Sequence, residues 1–146
     1  MARLEASALI NKPAEDIFVF LNVAENHAKF IPGMLEFKKT SPGPFGQVGT
    51  TARGMRRDLG HRWDVQYEIT EVEPNTKLGM KGAMGPILFT DGYLLDPQGS
   101  STRVNFWLEL TLTGLAKLAG PFIFLIGRTH AGETLANLKK TLETAG

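Results

Sequence analysis

The sequence predicts a two-layer α+β fold, with an antiparallel sheet of about seven strands and one long helix across one of its faces. Three observations carry this. From Val48 to Leu112, runs that alternate apolar and polar residues are separated by turn-forming clusters, as in an antiparallel meander. From Leu115 to Thr144, apolar residues recur at helical spacing. The chain of 146 residues, 42% hydrophobic and 21% charged, suits one domain over residues 1–146 with one core.

Ala2 to Ile10 alternates at its C-terminal end and reads as a first strand. Lys12-Pro13-Ala14-Glu15-Asp16 opens a helix, because proline suits the first turn and acids suit its positive end. Ile17, Phe18, Phe20 and Leu21 supply its apolar stripe. Glu25 to Ile31 reads as a second short helix, stopped by Pro32-Gly33. Met34 to Thr40 is a strand, and Ser41 to Gly46 a Gly/Pro loop. Arg62 to Ile69 places Trp63, Val65, Tyr67 and Ile69 on one face. Arg103 to Leu112 does the same with Val104, Phe106, Leu108, Leu110 and Leu112. Folding at Glu73–Thr76, Ala83–Pro86 and Gln98–Ser101 pairs Ile69 with Met80, Met80 with Phe89, and Tyr93 with Phe106. The turn near Leu59-Gly60 is ambiguous by one residue, so either Arg53 and Arg57 or Gly54 and Arg56 point inward.

Bulk properties exclude several functions. A net charge of +1 gives no reason to expect nucleic acid. The absence of cysteine removes disulfides, thiolate catalysis and thiolate metal sites. Arg3 and Glu5 stand where a signal peptide would be apolar, and Phe122 to Ile126 is too short to span a bilayer. A cytoplasmic protein with no stable membrane insertion is expected.

The last helix has large residues at both ends of its inward face and small ones between them. Phe124 and Leu125 are followed by Gly127, Ala131 and Gly132, then by Leu135, Leu138 and Leu142. Glycine within a helix costs about 1 kcal/mol against alanine, so room between helix and sheet is the expected reason. The opposite wall would be Trp63, Tyr67, Met80, Phe89, Tyr93 and Phe106, which suits a flat or flexible apolar ligand but equally suits a plain core.

Asp91 is the candidate for chemistry. Its strand parity aims it inward beside Leu78 and Leu108, and a buried carboxylate must be paired, hydrogen-bonded or protonated. It is then a polar anchor or a general acid/base, unless a bulge at Gly92 turns it outward. Arg128, on the inward flank of the helix, would meet Asp91 or a ligand carboxylate, or snorkel to solvent. Trp107 has outward parity, which leaves open cross-strand packing or a homodimer contact. His27, His61 and His130 are scattered without metal-ligand spacing, and His130 is expected to be wet. Neither a metal site nor a cofactor is expected. Gly43, Gly46 and Gly49 lack the Lys-Ser/Thr of a phosphate loop and read as a flap over the cavity mouth. The Arg53, Arg56, Arg57 and Arg62 cluster is offset by Asp58 and Asp64.

Several stretches resemble a known family. They are Ile10–Phe18, Val48-Gly49-Thr50, Tyr67–Pro74, Ser101–Val104 and Leu138–Glu143. Together they resemble the birch-pollen-allergen-like and START-like superfamily, in particular its polyketide cyclase/dehydrase and lipid transport branch. The resemblance implies a helix-grip fold, a curved sheet wrapped around the C-terminal helix and an apolar cavity. It also implies a small hydrophobic ligand such as a lipid, quinone or aromatic polyketide, or, in a minority of such proteins, cyclisation or dehydration. Three functions follow: a carrier of an apolar ligand, a cyclase or dehydratase using Asp91 as acid/base, and a protein-interaction module presenting Trp107 or the flap. The pocket-lining set is Trp63, Tyr67, Met80, Phe89, Asp91, Tyr93, Phe106, Leu108, Phe124, Arg128 and Ala131.

Overall fold

A computed structural model describes residues 2–58 and 60–144. Seven strands are present: β1 (Ala2–Ile10), β2 (Met34–Lys39), β3 (Thr51–Asp58), β4 (His61–Glu73), β5 (Lys77–Met84), β6 (Ile87–Gln98) and β7 (Ser101–Leu112). They form one sheet in the order β1-β7-β6-β5-β4-β3-β2, with every neighbouring pair antiparallel. Helix α1 (Ala14–Leu21) and a 3-10 segment, Ala24–Lys29, connect β1 to β2. A second 3-10 segment, Gly114–Ala119, leads into the long helix α2 (Gly120–Thr144). This is the helix-grip arrangement that the resemblance implies, and its antiparallel meander follows from the alternation and turn chemistry of the sequence. The expected turn at Leu59 lies outside the described residues.

The strand pairings hold the expected parity with one slip in register. Ile69 faces Met80 and Tyr93 faces Phe106. Met80, however, faces Asp91, and Phe89 faces Gly82. The turn between β5 and β6 is Gly85-Pro86, one residue later than expected, which moves each partner by two. Gly85 has a φ of 57°, and Pro86 then supplies a fixed negative φ, the combination a type II′ hairpin requires. A two-residue shift leaves every side chain on its face. No bulge interrupts β6 at Gly92, so Asp91 stays inward, next to Met80 and Leu108 rather than Leu78. In β3, Gly54 and Arg56 are the inward pair, opposite Val65 and Trp63.

Helix α2 packs mainly on β1 and β7. Its C-terminal half buries Ala131, Leu135, Leu138 and Leu142, and Asn137 donates from Nδ2 to the Phe30 carbonyl at 3.0 Å. The same end of the core holds Phe30, Phe37, Phe45 and Tyr93 around a fully buried His27. The His27 ring stacks on Phe37 with centroids 4.9 Å apart and bonds the Leu21 carbonyl through Nε2 at 2.8 Å.

Three sequence expectations are corrected here. Gly127 does not leave a hollow: a Cβ there would sit 2.8 Å from Leu4 and 3.2 Å from Leu110, so the glycine lets helix and sheet touch. Gly132 is exposed and faces open space. The Gly43–Gly49 loop is no flap over the pocket described below. It packs on the 3-10 segment and β2 through buried Phe45, whose ring meets His27 and Phe37, with Gly46 against Asn22.

Trp107 has the expected outward parity but is only 7% exposed. Its ring occupies the space where side chains at Gly92 and Gly79 would otherwise stand, and Arg3 and Lys77 cover it at 5.4 Å from the ring centroid. A Cβ at residue 92 would come within 2.3 Å of the Trp107 ring and 2.5 Å of the Leu78 carbonyl. Gly92→Ala is therefore expected to destabilise the fold by about 1–3 kcal/mol, with Trp107 emission shifted towards the red. Urea titration followed by fluorescence measures both, and an unchanged midpoint would contradict this packing.

Candidate functional site

The sheet's inner face is not fully covered by α2. Between the N-terminal half of α2 and strands β3–β7 lies a pocket of about 350 Å³. Trp63, Val65, Tyr67, Phe89, Leu108 and Leu110 form its sheet wall. Ala116, Ala119, Phe122, Ile123, Ile126 and Gly127 form its roof, and Met84, Pro86 and Ile87 its edge. The volume lies at the lower end of the roughly 300–1,000 Å³ typical of small-molecule sites. A broader depression of about 580 Å³ lies on the outer side of the sheet, lined by Gln66, Glu68, Lys81, Thr90, Glu109 and Thr111. The inner pocket, by contrast, is bordered by the buried ionisable groups Asp91 and His130.

Asp91 is the clearest of these. Strand parity aims it into the pocket, and among the described residues no group hydrogen-bonds its Oδ1, which is closed to solvent. The residue as a whole is half-buried because it borders the open pocket, but its carboxyl is enclosed by protein. Burial penalises the anion and raises its pKa from 3.8 to about 7. Burial raises the phenols of Tyr67 and Tyr93 as well, and the nearby Asp91 charge raises them further.

Arg56 is the pocket's cation. It donates from Nη2 to Asp58 at 2.8 Å, while its Nε is buried and without a partner among the described residues. His130 enters from α2, and its pKa falls to about 4 through burial first and the Arg56 charge second. It is thus a neutral imidazole at neutral pH. The polar groups form a chain: Asp91 acts on Tyr67, Arg56 acts on Tyr67, and Arg56 acts on His130.

The structure brings five expected residues to this pocket: Trp63, Tyr67, Phe89, Asp91 and Leu108. It places others elsewhere. Met80, Tyr93 and Phe106 are fully packed core. Ala131 is buried against the sheet, and Phe124 is half-buried at the flank of α2. Arg128 is exposed and does not meet Asp91, because the inward face of α2 runs through Ile123, Gly127 and His130 instead. His130, expected to be wet, is therefore inside. Its spacing of three from Gly127 and seven from Ile123 marks it as sharing their face. Arg56 is one of the two alternatives that the sequence leaves open in β3. Trp107, covered as described, offers no surface for an interaction module. Among the described residues there is no group of three His, Asp or Glu placed to hold a metal, and no helix long and apolar enough to cross a membrane.

Comparison with known proteins gives a consistent frame. The family model for polyketide cyclase / dehydrase and lipid transport matches residues 1–143. No curated protein matches the sequence. A solved structure from Thermus thermophilus is similar over 99% of both chains, with 16% identity and a TM-score of 0.79. The Zhui aromatase/cyclase from Streptomyces sp. R1128 is similar over 97% of this chain and 93% of its own, with 10% identity and a TM-score of 0.78. Ara h 8.0201 is similar over 97% of this chain and 99% of its own, with 15% identity and a TM-score of 0.72. At such identities the likeness is one of fold.

The raised Asp91 pKa has a defined consequence for stability. The folded state holds this proton more tightly than the unfolded chain, so stability falls as pH rises from about 4 to about 7. His27 and His130, lowered from 6.5 to about 4, act oppositely: their contribution is present above 6.5 and lost as pH falls through about 4. Comparing Asp91→Asn with the wild type isolates the first effect. The variant's advantage should widen between these pH values and then level off. A pH-independent difference in denaturation midpoint would show that Asp91 is not desolvated.

Proposed function

Because the chain belongs to the polyketide cyclase/dehydrase and lipid transport family, we propose that it binds a small, largely apolar ligand in the pocket between sheet and α2. The observation that carries this reading is the pairing of apolar walls with unmet polar atoms. Buried polar atoms in a folded protein are nearly always bonded, and leaving one unmet costs about 1–3 kcal/mol. Asp91 Oδ1 and Arg56 Nε both remain unmet beside the same pocket. A ligand with one or two polar groups on a flat or flexible apolar body would satisfy them. The acidic proton of Asp91 would be donated to a carbonyl or hydroxyl oxygen, and the Tyr67 phenol would orient the same end. Lipids, quinones and aromatic polyketides all have this form.

Filling the pocket should abolish binding. Ile123→Trp places a larger ring in the roof and is expected to weaken uptake of an apolar dye such as anilinonaphthalene sulfonate by more than about tenfold, some 1.4 kcal/mol. Native mass spectrometry of gently purified protein should show bound adducts in the wild type and none in the variant. Equal uptake by both would move the site elsewhere.

A second reading, a cyclase or dehydratase, is favoured by one specific observation. A carboxyl with a pKa of about 7 can both give and take a proton near neutral pH. With the phenols of Tyr67 and Tyr93 nearby, Asp91 would move the proton in an aldol-type ring closure or in loss of water from its product. Asp91→Asn should then lower turnover of a poly-β-ketone analogue by about 10²–10⁴-fold while ligand affinity changes little. Unchanged turnover would leave Asp91 as a polar anchor alone.

A further inference from the structure

The entry to α2 is apolar on the wrong side as well as the right one. Ala116, Ala119, Ile123 and Ile126 face the pocket. On the opposite flank Leu115 and Leu118 are each 84% exposed and Leu125 is 60% exposed, while Phe122, at the rim of the roof, is 55% exposed. The spacing of three from Leu115 to Leu118 and of seven from Leu118 to Leu125 keeps the leucines on one side, first along the 3-10 segment and then along α2. A helical segment that is apolar all round is normally buried in a core or in lipid. Here one flank is left bare beside the pocket mouth.

The charges around this ridge have a single sign. From Leu110 to Gly132 the chain carries Lys117 and Arg128 and no acid. Beyond the mouth, the β3–β4 hairpin that bears Arg56, Asp58 and Trp63 also carries exposed Arg57 and Arg62, paired on its outward face. Its two acids are already engaged, Asp58 with Arg56 and Asp64 with Arg53. Among the described residues, none of Arg57, Arg62, Lys117 and Arg128 forms an ion pair.

The geometry points to a docking surface for an anionic lipid bilayer, with Leu115, Leu118 and Leu125 entering the interface, Phe122 at its edge, and Lys117 and Arg128 meeting headgroups. Such a segment lies in the interface without spanning it, and each basic residue near an anionic surface adds to the attraction. Docking in this way turns the pocket mouth towards the acyl boundary, so that an apolar ligand passes between bilayer and pocket without crossing water. This use of the surface rests on the binding reading, but the docking itself does not.

Vesicle flotation tests it. The full chain is expected to float with phosphatidylcholine vesicles containing phosphatidylglycerol, at least about tenfold more than with phosphatidylcholine alone, and to be released by high salt. Leu115→Ser/Leu118→Ser/Leu125→Ser, which spares the pocket lining, should lose flotation about tenfold or more yet keep its melting midpoint and its uptake of anilinonaphthalene sulfonate. Lys117→Glu/Arg128→Glu should remove the preference for anionic vesicles. No flotation of the wild type, flotation unchanged in the serine variant, or equal flotation on neutral vesicles would overturn the proposal. So would a wild-type dimer by light scattering that the serine variant converts to monomer, since the ridge would then be covered by a second copy. Failure of dye uptake in the wild type, with flotation intact, would reject the binding reading and leave the docking surface standing.

Discussion

A seven-stranded sheet is wider than one helix, and this mismatch governs the molecule. Six strand spacings of about 4.8 Å amount to nearly 30 Å of sheet, whereas a helix with its side chains is about 10–12 Å across. Helix α2 accordingly seats itself on β1 and β7, at one edge. The close contact at Gly127 fixes how near it comes, because the glycine lets Leu4 and Leu110 reach the helix backbone. The rest of the inner face needs other cover. At one end the connection between β1 and β2 supplies it, with Phe30, Phe37 and Phe45 gathered on His27. At the other end only the first turns of α2 and the preceding 3-10 segment reach over the sheet. The uncovered remainder is the pocket.

The two ends use buried histidine differently. In His27 burial lowers the pKa to about 4, and the bond to the Leu21 carbonyl pulls it only partly back. Its ring serves as an aromatic that also caps a backbone acceptor. His130 reaches a similar value with Arg56 contributing to the shift, and it borders empty space. The same contrast separates the core phenol of Tyr93 from that of Tyr67, which lines the pocket between Asp91 and Arg56. His27 Nδ1 too is buried without a partner among the described residues, so what sets Asp91 and Arg56 apart is that their unmet atoms border open space.

Much of this is legible in the sequence, and the misses have physical reasons. Strand parity is a local property, so alternation alone places Trp63, Tyr67, Phe89, Asp91 and Leu108 on the inner face. Even the two-residue slip at Gly85-Pro86 leaves parity untouched. How far along the sheet each residue lies is not local. Met80, Tyr93 and Phe106 share the inner face with the pocket residues, and only the positions of α2 and the aromatic cluster decide which are covered. The helix is harder to read, because its apolar residues surround it at the entry and blur the inward direction. Charge favours Arg128 over His130, although the spacing of Ile123, Gly127 and His130 marks the true face. Trp107 escapes sequence reasoning because outward parity says nothing of what lies across the neighbouring strands. Gly79 and Gly92 create a trough for its ring, and Arg3 and Lys77 close it.

The blurred direction at the entry to α2 is itself informative. A protein that needed only a pocket roof would place apolar residues at Ala116, Ala119, Ile123 and Ile126 and polar ones opposite. Leucine at 115, 118 and 125 adds nothing to the roof and exposes area that favours aggregation. The outer flank of the C-terminal half follows the ordinary rule, with Glu133, Lys140 and Thr144 in solvent. The departure is confined to the half that covers the pocket, and basic residues accompany it where acids would improve solubility equally well. Apolar exposure, cationic surroundings and the pocket mouth coincide at one end of one helix, which ties the surface to the traffic of the pocket rather than to the stability of the fold.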